Sequence, residues 1–307
     1  MIPTRRRETR LAFALDALAD QTLAAERFEV IVVRSSDTEG EPATGSPPGL
    51  PVRFIASPVA GTSAQRNCGW RAARGPVVAF TDDDCRPAPG WLQGLLDAGA
   101  GAEVIVQGRT VPDPDERHLF RGLARTILNV RPSGWYETCN IAYARASIER
   151  LGGFDEAIDF LGEDVDLGLR ARRAGVGLRF TDRALVWHAV HWRSVPAALR
   201  DARKRGSRPA IVARYPELRE RLWLGVFTDR DHAWLLLAAT GLGLLRRVPS
   251  LGVLAALPYA YRHFVRSYLK PWDLVRYPGN LAAGALVDAT EIVWFTVSSV
   301  RSRAVVL

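Results

Sequence analysis

Four short apolar runs in the first 80 positions, Ile2 Pro3 Thr4, Phe28–Val33, Val52–Ala56 and Val77–Phe80, are separated by segments of helical or loop character. This alternation leaves a chain few choices. Strands joined through helices tend to lie parallel in one sheet, and the crossover helices then cover its two faces. The expected fold class is therefore α/β, a doubly wound and mostly parallel sheet with helices on both faces. Helices are expected at Leu11–Leu23, at Gly61–Arg74 with Gly75 as its stop, at Trp91–Ala98 and at Asp164–Ala174, which Gly175 ends. Further strands are expected at Val104–Gln107 and Leu185–His188, while Thr138–Tyr143 and the Gly152–Asp155 turn lead to Glu163 Asp164. Asp37–Pro51, rich in Pro, Gly and Ser, reads as a loop. Val111–Gly134, with its prolines and charges, reads as a connecting or acceptor-facing segment. The first strand opens at Met1 itself, which leaves open a start upstream of it.

The fourth run ends on three acids, Asp82, Asp83 and Asp84, and Gly162 Glu163 Asp164 opens a helix about eighty residues later. Open α/β sheets bind ligands at the carboxyl ends of their strands. Paired carboxylates are hard oxygen ligands, suited to Mg²⁺ or Mn²⁺ bridging phosphates. A metal and a diphosphate are the expected occupants.

The 307 residues are 48% apolar, enough to bury a full core. The net charge of +8 comes almost wholly from arginine, since Lys204 and Lys270 are the two lysines among 41 basic residues. No nucleic-acid-binding module accompanies that charge, so nucleic acid is not an expected partner; anionic lipid or a phosphorylated donor explains it as well. Cys68, Cys85 and Cys139 are odd in number and widely spaced, which fits reduced thiols in a cytoplasmic protein. No secretory signal is read at the amino terminus. From Ser194 the character changes: a basic helix at Val195–Arg205 precedes the apolar blocks Ala233–Leu245, Leu251–Tyr261 and Leu281–Val300. The first block is short of the ~20 residues that cross hydrocarbon, and the last contains Asp288 and Glu291. The tail is expected to be helical and membrane-apposed, with Arg200, Arg203, Arg205, Arg246 and Arg247 facing anionic lipid; a soluble helical appendage is the other reading.

The order of Ile2 Pro3 Thr4, Glu29–Val33, Ala64 Gln65 Arg66 Asn67, Phe80–Asp84, Cys139 Asn140, Gly152 Gly153 Phe154 Asp155, Gly162 Glu163 Asp164 and Ala184–His188 resembles the family 2 glycosyltransferases of the GT-A fold. The resemblance covers roughly residues 1 to 192. It implies that Asp82 and Asp84 match the family's DxD acids, with Asp84 on the metal and Asp82 on the ribose or sharing the metal. Asp83 would lie with them at the donor. His188 would complete the metal shell, with His191 as the alternative, and a Lewis acid there would stabilise the departing diphosphate. Asp164 would take the proton of the acceptor hydroxyl, and Glu163 would bind acceptor or position that base; the same pair could also stabilise a helix amino terminus. Arg66 and Asn67 would run beneath the diphosphate, Arg66 giving a bidentate contact. Pro3 and Thr4 would shape the base pocket. The Gly152 Gly153 turn would admit a sugar or merely stop a helix.

The implied activity is inverting, metal-dependent transfer of one hexosyl or related sugar from a UDP, GDP or dTDP sugar to a glycan or lipid-linked acceptor. Envelope or exopolysaccharide synthesis at the inner face of the plasma membrane is the expected setting. The chain departs from the family at Arg34 Ser35 Ser36 Asp37, where relatives carry an acid pair, and at Cys85, where a further acid often stands. It lacks the Gln-x-x-Arg-Trp of processive synthases, which favours single addition. The expected domains are 1–193, catalytic, and 194–307, helical. A sugar nucleotidyltransferase is disfavoured, because Met1–Arg10 has no glycine-rich loop with a Pro-Lys pair. The remaining alternative is a catalytically degenerate scaffold at a membrane.

Overall fold

The structure is a computed structural model that describes residues 1–37, 45–158, 161–266 and 277–307. Residues 38–44 of the expected Asp37–Pro51 loop lie outside the described residues, and 45–51 hold no helix or strand. The chain forms two compact units: residues 1–117 with 126–190, and residues 118–125 with 191–307.

In the first unit, β1 (Ile2–Thr4), β2 (Val30–Arg34) and β3 (Val52–Ala56) form a parallel sheet in the order β1-β2-β3, with Thr4 opposite Arg34 and Arg34 opposite Ala56. Helix α1 (Glu8–Ala19) is the crossover from β1 to β2, and α2 (Thr62–Ala72) follows β3. Leu11, Leu15 and Leu18 of α1 share one helical face and bury it with Ile2, Val30 and Val32, each fully buried aliphatic contributing about 1.5–3 kcal/mol. Beside this sheet runs β4 (Val77–Phe80): the Thr81 amide donates to the Met1 carbonyl.

The second sheet has the order β4-β7-β6-β8-β5, with β5 at Cys85–Pro87, β6 at Val104–Pro112, β7 at Ile141–Ala144 and β8 at Gly177–His188. Its ladders are mixed. The pairs β4·β7, β6·β7 and β5·β8 are antiparallel and β6·β8 is parallel. The parallel ladders of the expected mostly parallel sheet are those of the first three strands and β6·β8 of the second sheet. The reason is that β7, arriving without a crossover helix before it, inserts between β4 and β6.

Strand β8 begins eight residues earlier than expected, because Gly177–Thr181 pairs with Val104–Gly108 while Arg179, Asp182 and Arg183 point outward and hide the strand pattern. Helices α3 (Trp91–Asp97), α4 (Arg145–Arg150) and α5 (Glu163–Arg173) complete this unit. After α4, Gly152 and Gly153 take φ of +77° and +79°, and the Gly153 amide closes onto the Ile148 carbonyl. A Cβ on Gly153 would stand 2.5 Å from Asn67 Oδ1, so the close approach there is made by protein.

The second unit is helical: α6 (Val195–Arg205), α7 (Arg208–Arg214), α8 (Arg230–Leu244), α9 (Pro249–Arg266) and α10 (Tyr277–Ser302). Among the described residues, α10 is the one helix long and apolar enough to cross a bilayer. It buries Gly284, Val287, Glu291, Phe295 and Ser299, one stripe at helical spacing, within its own unit. Glu291 Oε1 accepts from Arg205 at 2.8 Å, and its Oε2 lies 3.3 Å from His232 Nε2. Arg205, expected to face lipid, is thus turned inward by a buried carboxylate that needs a counter-charge. Arg203 stacks over Trp294, while Arg200, Arg246 and Arg247 are exposed.

Candidate active site

Every element that carries the acidic clusters belongs to the first unit. Strand β4 ends at Phe80, and the chain turns through Asp82, Asp83 and Asp84 into β5, which pairs with the end of β8 so that Cys85 lies opposite His188. That pairing brings Asp84 to the histidine. Asp84 Oδ1 is 3.8 Å from His188 Nε2, and ligand atoms of Asp84, Cys85 and His188 lie within 4.8 Å of one another. The other ring nitrogen, Nδ1, is 2.9 Å from the Ala189 carbonyl and 3.3 Å from Thr126 Oγ1. A carbonyl can only accept, so in the neutral imidazole the proton sits on Nδ1 and the Nε2 lone pair faces a carboxylate oxygen. A backbone carbonyl on the distal nitrogen is how metal-ligating histidines are held, and 3.8 Å is within the span of two bonds of about 2 Å each. The donor set fits Mg²⁺ or Mn²⁺.

Burial, with the neighbouring Cys139, pushes the Cys85 thiol well above the ordinary range. Asp82 falls outside the three-residue group; its Oδ1 accepts from Arg66 Nη2 at 3.3 Å. Burial raises its pKa, opposed by the Arg66 charge. Asp83 is buried and accepts from Thr4 Oγ1 at 2.7 Å and from Arg7 Nη1 at 3.0 Å. Its burial pushes it up to about 6, against the pull of Arg7.

Glu163 and Asp164 open α5, where the helix dipole favours negative charge. Glu163 Oε1 accepts from Arg66 Nη1 at 2.7 Å. Asp164 Oδ1 accepts from the Val165 amide at 2.8 Å. Burial, reinforced by the charge of Glu163, raises the Asp164 pKa well above the usual carboxylate range. A carboxylate so raised is a better proton acceptor.

Arg66 and Asn67 differ from their expected tasks. The Arg66 guanidinium is 4% exposed, lies over the Phe154 ring and ties Asp82 to Glu163, so its two terminal nitrogens are engaged by carboxylates. It links the two acidic clusters from the buried side, where the expectation was an open fork for phosphate. Asn67 is buried, donates to the Phe154 carbonyl and Glu156 Oε1, and accepts from the Phe154 amide and Trp70 Nε1. Its polar atoms are all used in pinning the Gly152–Phe154 turn. Pro3 is buried in β1, and Thr4 ends that strand beside Asp83. His191 belongs to the second unit. Arg34, at the family's acidic position, ends β2 half-buried.

Two residues are given no role by the sequence. Gln65 donates from Nε2 to the Thr4 and Val33 carbonyls and so fixes the ends of β1 and β2 against each other. Arg7 Nη1 donates to Asp84 Oδ2 at 2.5 Å. The Arg5 Arg6 Arg7 run gave no sign of which arginine turns inward.

Comparison with known proteins completes the description. The model of "Glycosyl transferase family 2" matches residues 1–150. Validoxylamine A glucosyltransferase of Streptomyces hygroscopicus subsp. limoneus is 28% identical over 268 residues, covering 74% of this chain and 58% of that protein. Pre-mycofactocin glycosyltransferase of Mycobacterium tuberculosis is 31% identical over 199 residues, covering 60% of this chain and 42% of that protein. The chain thus spans about half the length of these relatives. Among solved structures, the mannosyltransferase PcManGT from Pyrobaculum calidifontis, in complex with GDP-Man and Mn²⁺, is similar with a TM-score of 0.58 at 19% identity, over 98% of this chain and 85% of that one; the likeness is one of fold. Motif order, strand topology and family model agree, and the first 150 residues of this chain match the family 2 glycosyltransferases.

Proposed function

We propose that the chain transfers a single sugar, with inversion and with a divalent cation, from a nucleotide-diphospho-sugar to an acceptor hydroxyl. The observation that carries this reading is the pairing of Asp84 Oδ1 with the His188 Nε2 lone pair, next to a second acidic cluster joined through Arg66. Asp84 and His188 would hold Mg²⁺ or Mn²⁺. When bound, the cation would supply Lewis-acid stabilisation of charge on the departing diphosphate. Asp164, raised by burial, would take the acceptor proton as the hydroxyl oxygen attacks the anomeric carbon, and Glu163, anchored by Arg66, would hold the start of α5 in place. Complexes with GDP-Man and Mn²⁺, and with UDP-GlcNAc, among proteins of similar fold support a nucleotide-diphospho-sugar donor here, a UDP, GDP or dTDP sugar being the proposed class. Residues 1–193 would be the catalytic domain and 194–307 a helical tail, with Val111–Gly134 facing the acceptor.

The tail reading is supported by α8 and α9. From His232 to Phe264 there is no Asp or Glu, Arg246 and Arg247 are exposed at the turn, and Leu251, Leu254, Leu257 and Tyr261 are each more than half exposed along α9. A one-sided apolar helix pair with a cationic turn suits the interface of an anionic bilayer. Cytoplasmic apposition to the plasma membrane would keep the chain among lipid-linked or envelope glycan acceptors.

Calorimetric titration of UDP, GDP and dTDP, with and without Mn²⁺, tests the donor site. One nucleotide is expected to bind in a metal-dependent way, with that binding lost in Asp84→Ala and transfer lost in Asp164→Asn while both variants stay folded. Full transfer by either variant would remove that residue from the mechanism, and absence of binding by every nucleotide would favour the scaffold alternative.

A further inference from the structure

Arg7 stands immediately before α1 and places one guanidinium nitrogen on two acids: Nη1 is 2.5 Å from Asp84 Oδ2 and 3.0 Å from Asp83 Oδ1. The carboxylates it touches are 8% and 6% exposed, whereas its own side chain is 48% exposed. Its remaining nitrogens, Nε and Nη2, have no hydrogen-bond acceptor among the described residues. Because Oδ2 of Asp84 is held by Arg7, it is Oδ1 that turns to His188.

The charges make this position consequential. Asp82, Asp83 and Asp84 face two guanidinium groups, those of Arg66 and Arg7. Arg66 is buried with both terminal nitrogens on carboxylates, so it cannot also grip an incoming anion. A diphosphate brought beside three carboxylates would meet repulsion that a cation must offset. Arg7 is the guanidinium with an accessible edge beside Asp84, and a planar fork of N–H donors matches phosphate oxygens.

We propose that Arg7 is a donor-binding residue with two tasks. Its Nη1 fixes Asp83 and Asp84 so that Asp84 Oδ1 faces His188, and its Nη2 and Nε edge binds the diphosphate of the nucleotide sugar. This assignment rests on the donor-site reading given above.

The experiment titrates UDP, GDP and dTDP, and the matching UMP, GMP and dTMP, into the full chain with saturating Mn²⁺, for wild type, Arg7→Ala and Arg7→Lys. Mn²⁺ alone is titrated in parallel. Loss of charge-assisted hydrogen bonds to phosphate is expected to weaken the diphosphate that wild type binds by about tenfold or more in Arg7→Ala. The matching monophosphate should weaken by less than about threefold, since it lacks the outer phosphate. Arg7→Lys is expected to fall between, because a point charge keeps attraction without the fork. Mn²⁺ alone should bind Arg7→Ala several-fold more weakly, as Asp84 loses its restraint. Diphosphate affinity equal to wild type in Arg7→Ala, or equal losses for mono- and diphosphate, would overturn the assignment while leaving the donor site standing. Failure of wild type to bind any diphosphate would overturn the donor-site reading and this assignment with it, whereas wild-type binding that Arg7→Ala leaves intact overturns the assignment alone. Arg7 is half-exposed, and a matched thermal unfolding curve for both variants is the expected control.

Discussion

At the scale of single residues, the site is a set of charges held by specific partners, and Asn67 shows how position and task can separate. In sequence it adjoins Arg66 and looks like part of a nucleotide contact; in the structure it is 1% exposed with every polar atom engaged. Replacing it with Ala would leave the Phe154 amide and Trp70 Nε1 buried without acceptors, each costing about 1–3 kcal/mol. Asn67→Ala is therefore expected to lower the unfolding midpoint by several degrees, while the nucleotide affinity of the folded fraction changes little; a large affinity loss with an unchanged midpoint would return Asn67 to the donor site. Asp82, Asp83, Asp84, Glu163 and Asp164 were singled out as candidates because carboxylates after an apolar strand and at a helix start are recognisable in one dimension. Arg7 was not, since three consecutive arginines look alike until one of them finds two carboxylates 76 and 77 positions away.

At the scale of elements, three-residue β5 does more for the site than its length suggests, since its pairing with β8 sets Asp84 beside His188. No periodicity announces a strand of three residues, and β5 was not expected. In the second unit, α10 is held by Glu291, which lies between Arg205 of α6 and His232 of α8. Burial by itself would lower the His232 pKa, yet the hydrogen bond and charge of Glu291 outweigh it and raise it above 6.5, while Glu291 is drawn below 4.5 despite its own burial. The histidine's contribution is then full below pH 6.5 and fades as pH rises through its folded value; the glutamate's is present above pH 4.5 and fades as pH falls. Thermal unfolding followed by helical circular dichroism should show wild type losing stability above neutral pH relative to His232→Asn. Parallel pH profiles for the two would show that the pair does not couple to folding.

At the scale of the whole molecule, the charge of +8 and the exposed apolar faces of α8 and α9 predict behaviour at a surface. The full chain is expected to float with vesicles containing anionic lipid at low salt, to float less at high salt, and to lose flotation when Arg246→Glu and Arg247→Glu are combined with Leu254→Glu. Absence of flotation with acidic vesicles at low salt would leave the tail as a helical appendage without a membrane role. The alternation of apolar runs by itself determined the parallel β1-β2-β3 sheet, the helices α1 and α2 and the delivery of acids to the end of β4, because each depends on spacing and hydrophobic period within about 30 residues. What tertiary structure decided is the insertion of β7 between β4 and β6, the full length of β8, the inward turn of Arg205 and Arg7, and the meeting of Asp84 with His188. Those outcomes depend on which distant groups satisfy one another's hydrogen bonds and charge, and a buried carboxylate takes whatever cation the completed fold places within reach.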